Sequence, residues 1–291
     1  MKFSIVIPSY QQAEFLRATL DSVLTQDYPD REIIVRDGGS TDGSVEILRE
    51  LGRDGGFRWI SEPDGGQAAA INLGLREATG EIHAYLNSDD VYNPGALRRV
   101  AEYFTAHPEC LVVYGNADHL HRDGTLMEAY PVEPWDYVRL QSVCFLCQPA
   151  VFWRREVEEK FGLFDPTLHF SMDYDYWLRV GKEVAFHHLA GTALAGSRLH
   201  WDTKTMSQRV PAHREYLQVV MRHGGERRAV MKWLRNVAEF QLAAVTPRPA
   251  TRFKRAATYV RYLFGAAWEF AVPPGADLFS EAKVALLKRK M

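Results

Sequence analysis

Through the first hundred residues, short apolar runs alternate with longer stretches whose apolar positions recur every three to four residues. Phe3-Ser4-Ile5-Val6-Ile7, closed by Pro8-Ser9-Tyr10, reads as a buried strand. From Ala13 to Leu24 the residues Phe15, Leu16, Leu20, Val23 and Leu24 line one stripe of a helix. Glu32 to Val35 is a second strand, ending at Arg36-Asp37-Gly38-Gly39, and Asp42 is placed to cap a helix running through Leu51. Phe57 to Ile60 is a third strand, ending at Glu62-Pro63-Asp64-Gly65-Gly66, and Gln67 to Glu77 is helical. Ile82 to Leu86 is a fourth strand, set between Gly80 and the helix start Asn93-Pro94, and it runs into Asn87-Ser88-Asp89-Asp90. Strands alternating with helices of this length predict an α/β fold with a mainly parallel sheet.

The regularity loosens after residue 105. Leu111 to Tyr114 and Thr125 to Tyr130 are expected as strands, the second entered through an Asp123-Gly124 turn. Asp173 to Gly181 is expected as a helix. From Thr203 the pattern is helical, over about 203–223, 227–245 and 250–270, with Thr246-Pro247-Arg248-Pro249 breaking the last two apart. Two domains are expected on this reading, 1–202 and a helical 203–291.

Composition changes this picture little. With 46% hydrophobic and 25% charged residues in 291, the chain is ordinary for a soluble globular protein. A net charge of −2 provides no basic field for nucleic acid. Three cysteines suit a reducing compartment, and Cys144-Phe145-Leu146-Cys147 lacks the second pair a zinc site needs, so buried thiols are expected. The run Phe3 to Ile7 is too short for a secretory signal, and no stretch reaches the ~18 to 20 apolar residues that span a bilayer. A cytoplasmic protein is expected, or one peripheral on the inner face of the cell membrane.

Charge does single out the C-terminal part. From Thr246 to Met291 nine basic residues face three acidic ones, interleaved with Phe253, Tyr259, Tyr262, Phe264, Trp268, Phe270 and Phe279. That mixture suits the surface of an anionic membrane. A helical cap with solvated charges, or a pairing of two copies, fits the same residues.

The chemistry lies at the strand ends. Asp37, Glu62 to Asp64, and Asp89-Asp90 close three strands of one sheet, and strand ends of a parallel sheet share an edge where ligands bind. Alone, Asp89 or Asp90 could simply make an Asx-turn. Together, adjacent carboxylates at such an edge suit a hard divalent cation that also holds phosphate. The first strand is not followed by G-x-G-x-x-G, and G-x-x-x-x-G-K-[ST] is absent, so neither a dehydrogenase-type dinucleotide site nor a P-loop is expected.

Several ordered motifs resemble the inverting family 2 glycosyltransferases, which have the GT-A fold. They are Ser4 to Tyr10, Leu20 to Gln26, Glu32 to Ser44, Pro63 to Gln67, Ala70-Ile71-Asn72 with Gly74, Asn87 to Asp90 and Met172 to Arg179. The resemblance covers about residues 3–202. It implies a Rossmann-like, mainly parallel sheet flanked by helices, here with a helical C-terminal extension. It implies an enzyme that moves a hexosyl or N-acetylhexosaminyl group from a nucleotide-sugar, expected to be UDP-linked. The acceptor would be a glycan or a polyprenyl-diphosphate-linked oligosaccharide in cell-surface polysaccharide biosynthesis.

The resemblance also implies roles. Asp37 would meet the nucleobase edge, and Pro8, Tyr10, Asp64, Gln67 and Asn87 would line the nucleotide. Asp90 would ligate Mn²⁺ or Mg²⁺, and Asp89 would contact ribose or sugar. His200 matches a third metal ligand, with Arg198 directed at the diphosphate. Asp173 would be the catalytic base, since an inverting transfer must take a proton from the acceptor hydroxyl. Asn87 stands where many relatives carry an acid, and Met172 where many carry Glu. Two other classes remain open at this stage. A nucleotidyltransferase needs a Gly-rich basic loop after the first strand, where this chain has Pro8-Ser9-Tyr10-Gln11-Gln12-Ala13. A non-catalytic sugar-nucleotide binder has no use for both Asp90 and Asp173.

Overall fold

The structure, a computed structural model, describes residues 1–200, 203–245 and 251–287, apart from the Asp54 side chain. The chain divides into two compact units, Met1–Tyr137 with Cys144–Trp201, and Val138–Val143 with Asp202–Met291. The segment 138–143, left in the first domain by the sequence reading, groups with the second.

The first unit runs β1 (Phe3–Ser9), α1 (Ala13–Leu24), β2 (Arg31–Asp37), α2 (Ser44–Leu51), β3 (Arg58–Ser61), α3 (Gln67–Glu77), β4 (Ile82–Tyr85), β5 (Val91–Tyr92), α4 (Ala96–Ala106), β6 (Val112–Gly115), β7 (Ala117–Leu120), β8 (Leu126–Ala129), α5 (Tyr137–Ser142, which passes into the second unit), β9 (Val151–Arg154), α6 (Glu156–Phe161), α7 (Met172–Gly181), β10 (His187–Leu189) and β11 (Ala195–Arg198). The main sheet has the order β10-β6-β9-β4-β1-β2-β3. Its pairs are parallel except for β9, which lies antiparallel between β4 and β6. A second sheet has the order β5-β11-β7-β8. The mainly parallel α/β sheet flanked by helices agrees with the sequence expectation.

Every residue of β1 is buried, as befits a central strand covered on both faces. The apolar stripe of α1 (Phe15, Leu16, Leu20 and Val23) is buried with it. Helix α3 approaches β1 closely because residue 74 has no side chain: a Cβ there would stand 2.5 Å from Val6 Cγ1. Strand β9 is not among the expected strands, because its apolar stretch Val151-Phe152-Trp153 is only three residues long and shows no period.

The second unit holds α8 (Lys204–Ser207), α9 (Arg209–Arg222), α10 (Arg227–Val245), α11 (Arg252–Glu269) and α12 (Ala276–Leu287). The helix expected over 203–223 is two helices. Pro211 fits only the first turn of a helix, so α9 starts afresh just before it. Leu217, Val220, Leu234, Val237, Tyr259, Leu263 and Leu278 are buried in this unit. Trp233 Nε1 donates to the Gln141 carbonyl at 2.9 Å, which ties the segment 138–143 to α10. Thr251 caps α11, its hydroxyl accepting from the Lys254 N–H. The break expected at Thr246 to Pro249 lies outside the described residues.

Candidate active site

Parallel registry brings the ends of β1, β2 and β3 level: Ser9 pairs with Asp37, and Asp37 with Ser61. Pro8 lies within β1 opposite Arg36 and is buried, while Tyr10 emerges just beyond the strand end, 61% exposed. Asp37 is buried, and its own loop engages both of its oxygens. Oδ2 accepts from Gly39 N–H at 3.2 Å, Ser40 N–H at 2.9 Å and Ser61 Oγ at 2.6 Å, and Oδ1 from Ser40 Oγ at 2.6 Å. This carboxylate therefore shapes the loop at the head of the site. Next to it, residue 38 lacks a side chain, and a Cβ there would stand 3.2 Å from both Tyr10 Cδ2 and Asp64 Oδ2. Tyr10 and Asp64 thus flank Gly38, with Asp64 Oδ1 held by the Gly66 N–H at 2.7 Å.

Beyond β4 a line of amides runs through the site. Gln148 Nε2 donates to the Tyr85 carbonyl at 2.8 Å, which can only accept. Gln148 Oε1 is thereby turned to accept from Asn87 Nδ2 at 3.2 Å. The same Asn87 amide stands 3.4 Å from Asp90 Oδ2, and Asn87 Oδ1 accepts from Gln67 Nε2 at 2.7 Å. Gln148 has no place in the sequence reading. Its one signal there is an amide set in the apolar run from Val143 to Trp153.

Asp89 and Asp90 diverge. Asp90 is buried, and its Oδ1 accepts from the Arg198 N–H at 2.9 Å. Burial and the neighbouring Asp89 charge push its carboxyl above the usual carboxylate range, against the pull of the Arg198, Asn87 and Ser197 donors. Asp89 is more open, and its Oδ2 lies 3.3 Å from His200 Nε2, whose ring packs on Phe15. The sequence reading gave the metal to Asp90 and His200; the described contact joins His200 to Asp89. The Arg198 guanidinium, expected to meet diphosphate, lies over the Phe15 ring. Its Nε donates to the Asp89 carbonyl, and its Nη1 to those of His121 and Arg122. It fastens β11 to the loop after β4.

At the N-terminus of α7 two acids behave differently. Asp175 is buried and lies 3.6 Å from Arg179 one turn on, a helix-stabilising arrangement. Asp173 is half-buried, and its Oδ1 accepts from the Tyr174 N–H at 2.8 Å. Asp173 and Asp90 act on one neighbour: burial first, then the Asp173 and Asp90 charges, hold the Tyr85 phenol well above its ordinary range. Burial first, then Asp173, likewise raises the Cys144 thiol. The three cysteines are free thiols.

Among the described residues no three His, Cys, Asp or Glu side chains cluster as a cation site. Asp89 and His200 do fit as a pair. Asp89 Oδ2 and His200 Nε2, a carboxylate oxygen and an imidazole nitrogen 3.3 Å apart, would face one bound cation together.

The sequence model described as glycosyl transferase family 2 matches residues 4–161. An uncharacterized glycosyltransferase of Nostoc is 34% identical over 181 residues, which are 57% of this chain and 55% of that protein. The chondroitin synthase of Pasteurella multocida is 29% identical over 188 residues, 64% of this chain and 19% of that one. The chain thus spans about half or less of the length of these relatives. Among solved structures, S. aureus TarS 1-349 in complex with UDP-GlcNAc superposes with a TM-score of 0.65 at 16% identity, covering 98% of this chain and 90% of that one. The mannosyltransferase PcManGT of Pyrobaculum calidifontis, in complex with GDP-Man and Mn²⁺, gives 0.60 at 18% identity, covering 99% and 81%. The fold they share with this chain is the GT-A fold.

Proposed function

We propose, from the premise that this chain belongs to glycosyl transferase family 2, that it transfers a hexosyl or N-acetylhexosaminyl group, with inversion, from a UDP-linked donor. The acceptor on this reading is a glycan or a polyprenyl-diphosphate-linked oligosaccharide in cell-surface polysaccharide biosynthesis. The observation that carries the proposal is the pairing of Asp89 with His200, 3.3 Å apart beside Asp90 at the sheet edge, in a unit that also presents Asp173. UDP-GlcNAc in TarS and GDP-Man with Mn²⁺ in PcManGT support a nucleotide-sugar donor and a divalent cation.

On this reading the residues divide the labour. Tyr10, Gly38 and Asp64 form the open end that receives the nucleotide, over a loop that Asp37 holds in shape. Gln67 and Asn87 orient the polar floor toward Asp90. Asp89 and His200, beside Asp90, would hold Mn²⁺ or Mg²⁺, which when bound would supply Lewis-acid charge for the leaving diphosphate. Asp173, half-buried at the start of α7, takes the proton of the acceptor hydroxyl as the new bond forms. Asp175 has no part in this, since it is buried beside Arg179.

Release of nucleoside diphosphate from a panel of UDP- and GDP-sugars, with Mn²⁺ and an oligosaccharide acceptor, tests the proposal. Turnover of at least one donor is expected. Donor binding by calorimetry without turnover of any donor would instead mark a sugar-nucleotide binder. Release of pyrophosphate from a nucleoside triphosphate and a sugar phosphate would mark a nucleotidyltransferase.

A further inference from the structure

On α11 the residues Phe253, Ala257, Phe264 and Trp268 are spaced by four, seven and four, so they share one helix face. Trp268 is 90% exposed and Phe253 77%. On α12 the residues Phe279, Lys283, Leu286 and Leu287 share a face in the same way, with Leu287 68% and Phe279 58% exposed. The rings of Phe264 and Phe279 meet at 5.7 Å, so the two faces adjoin. Within one helical unit this brings together large apolar side chains that water surrounds, an arrangement that marks an interaction site.

The charges around this face are unequal. The acids of the two helices are each tied to an arginine of α9 or α10: Glu269 to Arg214 at 2.9 Å, Asp277 to Arg227 at 2.8 Å, and Glu281 to Arg235 at 2.9 Å. The exposed cations Lys254, Arg261 and Lys283 have no carboxylate partner among the described residues. The surface therefore presents aromatics and leucines between cations whose charge is not offset. No described helix is long and apolar enough to cross a membrane, so this is a face and not a span.

We propose that the joined faces of α11 and α12 dock on an anionic lipid surface, with Trp268, Phe253, Phe279 and Leu287 entering the headgroup region and Lys254, Arg261 and Lys283 meeting lipid phosphates. Aromatics at the interface and cations at headgroup level are the two attractions such a surface offers. A second copy is a poorer occupant, because a two-fold interface would set these cations against their own kind. The proposal stands apart from the transferase reading, since its test needs neither donor nor acceptor. If both hold, a lipid-linked acceptor and the enzyme share one surface.

Sedimentation with phosphatidylcholine vesicles containing about one-third phosphatidylglycerol, against phosphatidylcholine alone, tests it directly. The full chain is expected to pellet with the anionic vesicles and to be released by high salt. Trp268→Ala with Phe279→Ala should lower the partition by about tenfold or more, and Lys254→Glu with Arg261→Glu and Lys283→Glu should remove the preference for phosphatidylglycerol. All five positions are exposed, so the circular dichroism melting curve should hold in both variants. Wild-type protein left in the supernatant, or partition unchanged in both variants, overturns the proposal. So does light scattering that shows a dimer dispersed by the same substitutions without vesicle binding.

Discussion

Asn87 and Gln148 lie 61 positions apart in sequence and share one hydrogen bond, 3.2 Å from Asn87 Nδ2 to Gln148 Oε1. Its direction is fixed from outside the pair. The Tyr85 carbonyl takes the Gln148 amide N–H, so Gln148 must show Asn87 an oxygen, and Asn87 must show Gln148 and Asp90 its N–H groups. This accounts for an amide, and not an acid, at position 87. A carboxylate at 87 would face the Gln148 oxygen and the Asp90 carboxylate together, and like partners at this range repel. Asn87→Asp should therefore lower turnover more than Gln148→Met does. Gln148→Met, which keeps size but removes the amide, should cost about tenfold or more. Steady-state rates for the two variants, with donor KM measured beside kcat, check this; wild-type constants in both would contradict it.

His200 is expected to bear on the metal and not on the fold. His200→Ala should raise the Mn²⁺ concentration for half-maximal activation by about ten- to a hundredfold, with kcat at saturating Mn²⁺ largely recovered. Calorimetric titration of Mn²⁺ into each protein in the presence of nucleoside diphosphate gives the same comparison without turnover. Equal affinities would remove His200 from the metal.

The bare Cα at position 38 is expected to serve the nucleotide. A side chain there would enter the space between Tyr10 and Asp64, which a Cβ would already approach to 3.2 Å. Gly38→Val should weaken donor binding by about tenfold while leaving the melting temperature within about 2 °C. Donor titration by calorimetry decides it, and unchanged affinity would mean that the donor does not use this space.

Acid stability should depend on Glu32. Burial alone would raise its carboxyl, but the Ser4 hydroxyl, the Thr79 N–H and hydroxyl, and Lys2 outweigh burial and hold it at about 2, against an ordinary 4.5. A folded-state value below the unfolded one gives stability that is present above pH 4.5 and lost as pH falls through about 2. Allowing for solvent screening, the contribution is about 1–2 kcal/mol. Glu32→Gln should flatten the fall in urea-unfolding free energy across that window. A slope equal to wild type would show that Glu32 is not its source.

Sequence reading recovered the strands and helices whose apolar period was clear. Of the motif residues that carried the family resemblance, Asp37 and Asp89-Asp90 fall inside the family match over 4–161 and Asp173 falls outside it. The sequence reading missed β9 because three buried apolar residues, Val151-Phe152-Trp153, are too few to show a period. It missed Gln148 for a related reason: the role of an amide depends on which carbonyl it faces, and Tyr85 is 63 positions away. The 3.3 Å contact of His200 with Asp89 was not legible, because adjacent acids look alike in sequence while their side chains leave the backbone in different directions. The carbonyl partners of the Arg198 guanidinium, in Asp89, His121 and Arg122, lie far along the chain and leave no mark in sequence.

The central claim is that Asp173 takes the acceptor proton, and a comparison of wild type with Asp173→Asn tests it most directly. Donor affinity would be measured by calorimetry, and nucleoside diphosphate release from UDP-sugars would be followed with Mn²⁺ and acceptor present. The account predicts donor affinity within about twofold of wild type and turnover lowered by about a hundredfold or more. Equal turnover in the two proteins, at equal donor affinity, would contradict it.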